Sequence, residues 1–364
     1  MFYSCAPAAR GGARATVKKR GRSLTVDIHC HYMNGDAAAK VAPLNPAQHE
    51  PMAVYSNAQT REVNANQVKE RGPKLTDIAL RLKDMDRMGI DIQALCPAPH
   101  QTYYWTEPGM GQELARAQNE RLADIVAQHP ERFVALGTVP LQDVSLAVAE
   151  LEHGVRKLGM RGVEINPSVR GMDLTDARLS LEPFFAAVQK HDVIIFMHPI
   201  GFTQGERLVN HYFSNVIGNP LETTVAASHL IFDGVMERHP KLKVVLPHAG
   251  GYLAHYWARM DHAYQARSDT RGQMKRKPSS YLERFYFDTI TFDHGMLAHL
   301  IARFGADHVL LGTDYPYDMG VERPVEFIGG VKGLSGAERA AIEGGNAARL
   351  LKIDYNRAQR RRTA

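Results

Sequence analysis

Leu24-Thr25-Val26-Asp27-Ile28-His29-Cys30-His31 is a short apolar run that ends in two histidines. On an extended chain successive side chains alternate between faces, so His29 and His31 point one way and Cys30 the other. Two imidazoles on one face at a strand's end can grip one metal ion. The remaining ligands are then expected at the ends of other strands.

Seven further strand-like runs follow, at 90–96, 132–139, 162–166, 193–198, 242–248, 285–288 and 308–314. Between most of them lie segments with helical apolar spacing, at 78–88, 114–126, 144–158, 181–188, 223–236, 296–304 and 337–351, and Gly or Pro marks most junctions. Eight β–α units predict an α/β chain folded as a (β/α)8 barrel. An open doubly wound sheet is the competitor, but histidines rather than a Gly-rich phosphate loop follow the first run. Val193-Ile194-Ile195-Phe196 and Val309-Leu310-Leu311 are apolar throughout, as strands covered on both faces should be. Residues 32–73 form one long polar insertion without a clear period, expected as a loop or small subdomain over the barrel mouth.

The chain has 364 residues, 44% apolar and 23% charged, the balance of an ordinary globular protein. It contains no apolar run long enough to span a membrane. The net charge of +5 owes much to basic clusters at 10–22 and 357–362. The body is near neutral, so no nucleic-acid partner is expected. Residues 1–22 lack the apolar centre of a secretory signal and read as an unstructured basic extension. A single domain at 23–352 and a basic tail at 353–364 complete the division. Cys5, Cys30 and Cys96 are scattered and odd in number, which argues against a disulfide framework and for a reducing, cytoplasmic setting.

In a barrel the chemistry sits at the C-terminal ends of the strands. The first run ends at His29 and His31, the fifth at His198, the sixth at His248 and the eighth at Asp314. One such histidine is unremarkable; four with an aspartate at the same relative place predict a metal centre. Imidazole nitrogen and carboxylate oxygen suit zinc, and also manganese or iron. His248 is either a further ligand or an acid/base beside the ion, and an imidazole's ordinary pKa favours proton transfer.

The chain resembles the amidohydrolase superfamily, in the branch of 2-amino-3-carboxymuconate-6-semialdehyde decarboxylase and related aromatic-acid decarboxylases. The stretches that carry the likeness are 27–31, 82–89, 103–105, 132–140, 219–224, 248–259 and 310–317. The resemblance implies one metal ion, most simply Zn2+ with Mn2+ the alternative, held by His29, His31, His198 and Asp314. It implies His248 as catalytic acid/base. Gly162-Val163-Glu164-Ile165-Asn166 carries no lysine, which speaks against the two-metal members. Arg259, eleven residues past His248, stands where the family's arginine reaches across a dimer interface to the substrate carboxylate. Arg71, or alternatively Arg61, is the candidate for a second carboxylate-binding arginine. A homodimer and a small carboxylic acid substrate are thereby implied. The turn His198-Pro199-Ile200-Gly201-Phe202 lacks the family's tryptophan, and Tyr103-Tyr104-Trp105 is either packing or the wall of a pocket for a flat acid.

The same residues serve two reactions. One is non-oxidative decarboxylation of an unsaturated or aromatic acid, with His248 delivering a proton and Asp314 relaying it. The other is hydrolysis of an amide, ester or lactone by water activated at the ion. The resemblance favours decarboxylation. A metal-binding barrel without activity is disfavoured, because a competent side chain fills every catalytic position.

Overall fold

The computed structural model describes residues 23–354, so the basic extension at 1–22 and most of the tail at 353–364 lie outside the described residues. β1 (Val26–Tyr32), β2 (Ile92–Pro97) and β3 (Phe133–Ala135) pair in parallel in that order. β4 (Gly162–Ile165), β5 (Ile194–Met197), β6 (Lys243–Leu246), β7 (Phe285–Asp288) and β8 (Val309–Leu310) form a second parallel set. Single parallel bridges, Gly137 with Val163 and Cys30 with Tyr315, join the two sets, so β8 returns to β1 and the (β/α)8 barrel closes. Across that last seam the amides of Ile28 and His31 donate to the carbonyls of Leu311 and Tyr315 at 2.9 and 2.8 Å.

Alternate residues of the strands fall into two buried clusters. Ile194, Phe196, Ala94, Cys96 and Val245 belong to one, and Ile195, Met197, Leu95 and Val244 to the other. The second cluster includes Phe184, Leu151 and Leu300 from the surrounding helices, as a two-sided sheet requires. β1 breaks this rhythm. Its pairing with β2 shifts between Asp27 and Cys30, with Val26 and Ile28 in one cluster and Cys30 in the other. The irregularity therefore falls at His29.

Several strands are shorter than their apolar runs. Beyond Leu310 the amides leave the β7–β8 ladder: Leu311 donates to Ile342 O, Gly312 to Thr289 Oγ1 and Asp314 to His29 O. Asp314 itself adopts a left-handed backbone, φ 56°. The run at 308–314 is thus a two-residue strand followed by a turn that re-aims a carboxylate.

The stretch between β1 and helix Ile78–Met88 is mostly helical. It holds helix Gly35–Val41, two short 3-10 turns, helix Pro51–Val54 and the 19-residue helix Ala58–Thr76. Only Thr60 and Leu75 of that long helix are buried, so no apolar stripe could announce it. Polar contacts hold it instead. The Asn57 side chain caps the Thr60 amide at 2.8 Å, and the Asn57 and Met52 amides donate to Val209 O and Ile200 O beyond β5.

Candidate metal centre

His29 and His31 leave β1 on the same side, with their Nε2 atoms 3.1 Å apart. Each Nε2 lies 3.2 Å from Asp314 Oδ1. Donors held about 2.1 Å from one tetrahedral ion stand about 3.4 Å apart, so this triangle fits a shared cation. The His198 ring completes the group, its centroid 4.9 Å from that of His29 and 4.7 Å from that of His31. One donor atom each from His29, His198, His248 and Asp314 also falls within 4.8 Å of the others.

The surrounding contacts fix which nitrogens face inward. His29 Nδ1 bonds Asp288 Oδ2 at 2.7 Å, and His31 Nδ1 bonds the Pro97 carbonyl at 3.2 Å. Each ring thereby presents Nε2 to the centre, the arrangement that orients metal-binding histidines. Both nitrogens of His198 and Oδ1 of Asp314 are buried without a hydrogen-bond partner. Each such group costs about 1–3 kcal/mol unless something satisfies it. A divalent cation would satisfy Asp314 Oδ1 and one nitrogen of the His198 ring together, so the donor set fits the implied metal.

Electrostatics agree. Burial lowers the pKa of His31 to about 4 and that of His198 well below its ordinary value, which leaves their lone pairs free. Burial also opposes charge on His29, yet Asp314 and Asp288 override it and raise that imidazole to about 10. The pocket is anionic enough to hold a positive charge in place. Burial works against the Asp314 anion too, but the histidines around it keep the carboxyl well below its usual range.

His248 stands at the rim. Its Nε2 is 3.6 Å from Asp314 Oδ2, and its side chain keeps 16% of its surface exposed whereas that of His29 has none. His248, Ala249, Gly250 and Gly251 all have positive φ, a strained turn that needs an outside anchor. Asp288 is the anchor: it accepts the His248 amide at 2.9 Å, the Ala249 amide at 2.8 Å and the Ile290 amide at 3.1 Å, besides His29. Burial would raise the Asp288 carboxyl; His29 and the Ala249 amide among its partners hold it below the usual range. Gly312 packs under the same group, where a Cβ would come within 2.8 Å of Asp288 Cβ and 3.1 Å of His29 Cβ.

The candidate arginines lie elsewhere. Arg259 is exposed on helix Leu253–Ala266 and meets no hydrogen-bond or ionic partner among the described residues. With Tyr252, His255 and Tyr256 it forms one exposed face at i, i+3, i+4 and i+7. Arg71 uses Nη1 on the carbonyls of Pro316 and Tyr317, at 3.0 and 3.2 Å, and Nε on Gln67. It grips the turn that carries Asp314 rather than the centre itself. Arg61 donates to the Ser56 carbonyl.

Two cavities among the described residues lie beside the centre. One of about 250 Å³ lies on the His248 side, with Phe292 and Met296 at its lip. The other, about 600 Å³, lies between the insertion and the loop after β2, where Tyr103, Tyr104 and Trp105 form a wall. The Trp105 ring stacks on His49 at 4.3 Å.

Sequence reasoning missed three buried groups. Asp288 ends the seventh run, the same signal that marked His198 and Asp314, and could have been read from it. Glu164 lies fully buried on β4, its oxygens without a hydrogen-bond partner and Oε2 3.7 Å from His31 Nδ1. Arg81, also fully buried, donates to the His31 carbonyl and to Gln93 at 3.1 Å; nothing local distinguishes it from any other helix arginine.

The barrel with histidines and acids at its strand ends has counterparts among known proteins. A 2-amino-3-carboxymuconate-6-semialdehyde decarboxylase from Dictyostelium discoideum is 29% identical over 338 residues, 92% of this chain and 94% of that one. A gamma-resorcylate decarboxylase from Rhizobium sp. is 31% identical over 298 residues, 79% of this chain and 90% of that one. Among solved structures, 5-carboxyvanillate decarboxylase from Sphingomonas paucimobilis superposes with a TM-score of 0.81 at 25% identity, covering 91% of this chain and all of that one. A dihydroxybenzoic acid decarboxylase from Polaromonas sp., solved with bound manganese, gives 0.76 at 25% identity over 92% of this chain and 98% of that one. These named relatives are decarboxylases. The amidohydrolase family profile matches residues 26–353, the whole barrel from its first strand onward, and the chain belongs to that family.

Proposed function

We propose that this protein is a metal-dependent, non-oxidative decarboxylase of an unsaturated or aromatic carboxylic acid. The observation that carries the reading is the convergence of His29, His31, His198 and Asp314, with His248 held beside them, in a chain whose relatives decarboxylate such acids. The four inner side chains would hold one divalent ion. Zn2+ suits the three imidazoles and one carboxylate, and the manganese bound in the Polaromonas enzyme makes Mn2+ the alternative. When bound, the ion supplies a fixed positive charge that orients the acid and draws electron density from its oxygens.

His248 carries the proton. Its imidazolium gives that proton to the carbon bearing the carboxylate, and the electron pair of the breaking C–C bond returns to the ring or diene as carbon dioxide leaves. Asp314 Oδ2, 3.6 Å from His248 Nε2, stabilises the charged imidazole and can relay its proton. Arg259, on the exposed face with Tyr252, His255 and Tyr256, would pair with the substrate carboxylate of a second copy in a homodimer. The buried, unbridged thiols Cys30 and Cys96 suit a cytoplasmic setting.

Two experiments test this. Metal-loaded protein should release carbon dioxide from hydroxy- or amino-aromatic or muconate-type acids; cleavage of esters or lactones without carbon dioxide would make it a hydrolase instead. Mixing Arg259→Ala protein with His248→Ala protein should restore part of the activity that each lacks alone. No recovery on subunit exchange sinks the cross-subunit role.

A further inference from the structure

The large cavity beside the centre has an unusual charge balance for an enzyme that takes acids. Three carboxylates line it, Glu50, Glu107 and Glu222, against one guanidinium, Arg170. Arg170 is exposed, and its Nε and Nη2 donate to the carbonyls of Tyr104 and Thr106 at 2.8 and 2.7 Å. Glu222 is occupied by Ser168, whose hydroxyl donates to Oε1 at 2.7 Å. The Glu50 side chain has no hydrogen-bond or ionic partner among the described residues. Burial raises its carboxyl to about 7, so Glu50 carries its full negative charge only above neutral pH.

The cavity adjoins the metal centre. Asn166, at the end of β4, lines it and donates to the His198 carbonyl at 2.9 Å. Ile200, two residues past His198, lines it as well. Its volume of about 600 Å³ and its Tyr104–Trp105 wall suit a flat ring.

We propose that this cavity receives the end of the substrate remote from the reacting carboxylate, where Glu50 accepts a hydrogen bond from an amino or hydroxyl substituent and repels a second carboxylate. The preferred substrate is then an amino- or hydroxy-substituted aryl monoacid rather than an aryl dicarboxylate. This rests on the decarboxylase reading for which end of the acid reacts, but its test needs no turnover.

Calorimetric titration of the metal-loaded full chain at about pH 8.5, where the Glu50 carboxyl is ionised, with benzoate, its amino and hydroxy isomers and the three benzenedicarboxylates reads the ranking directly. The best amino or hydroxy isomer should bind about tenfold tighter than benzoate, the advantage of one charge-assisted hydrogen bond, and every dicarboxylate more weakly than benzoate. In Glu50→Gln and Glu50→Ala that tenfold advantage should shrink, and the dicarboxylates should gain about tenfold. Unchanged melting temperatures would show that both variants fold. A dicarboxylate that binds wild-type protein as tightly as the best amino or hydroxy isomer overturns the inference, as does a ranking unaltered in both variants. If the ranking holds while no acid releases carbon dioxide, the recognition stands and the reaction assignment falls. If carbon dioxide is released but the ranking is absent, the reaction assignment stands and the role of Glu50 falls.

Discussion

The two sides of the barrel mouth are built by different means. The metal centre hangs on strand ends tied together across the whole chain: His29 and Asp314 are 285 positions apart in sequence, yet the Asp314 amide donates to the His29 carbonyl at 2.8 Å. Its side chains are buried and its polar contacts are carboxylates on imidazoles and amides. The insertion opposite is built from local helices with few buried residues, pinned by single amides and by Arg71. The first region is fixed by buried, mutually bonded polar groups; the second touches it through few contacts, chiefly Arg71 on the carbonyls of Pro316 and Tyr317. The proposed chemistry belongs to the former, and the proposed choice of substrate to the latter.

The sharpest way to break this division is at the centre. His198→Ala should abolish both metal binding, measured by elemental analysis of dialysed protein, and turnover. A variant that kept a full complement of metal would remove His198 from the ligand set. His248→Ala should keep its metal and lose about 10²–10⁴-fold in turnover, the usual share of a general acid; lost metal would make His248 a ligand. Asp288→Asn should weaken metal affinity about 10–100-fold, as other changes behind a ligand do, and competition with a chelator will show it. On the insertion side, Arg71→Ala should cost about 1–2 kcal/mol in thermal or denaturant unfolding while the metal stays bound. Metal loss there would mean that the two regions are not separable.

The same contrast explains what could be read from sequence. Strand ends carry their message locally: an apolar run, then a histidine or aspartate, repeated at 29, 198, 248 and 314. The barrel could be counted from the same runs. Helix Ala58–Thr76 has no such signature, because its supports are Val209, Pro316 and Tyr317, far along the chain. Glu164 and Arg81 are silent for a related reason: what makes them notable is total burial, which a neighbouring sequence of Val, Ile, Leu and Lys does not reveal. Arg259 reads as an outward helix position, and the cross-subunit use proposed for it needs a second copy of the chain.

Asp288 ties the His29 ring and the His248 turn into one adjustable part. The same oxygen that holds the His29 ring also receives the His248 amide. Any shift of that carboxylate moves the His29 ring and the His248 backbone in concert, so their relative position survives small distortions of the barrel. An engineer who wishes to slide His248 toward a larger ring cannot do so by rebuilding the turn after β6 alone. The tether would drag the His29 ring along, and a new acceptor for the His248 and Ala249 amides has to be installed first.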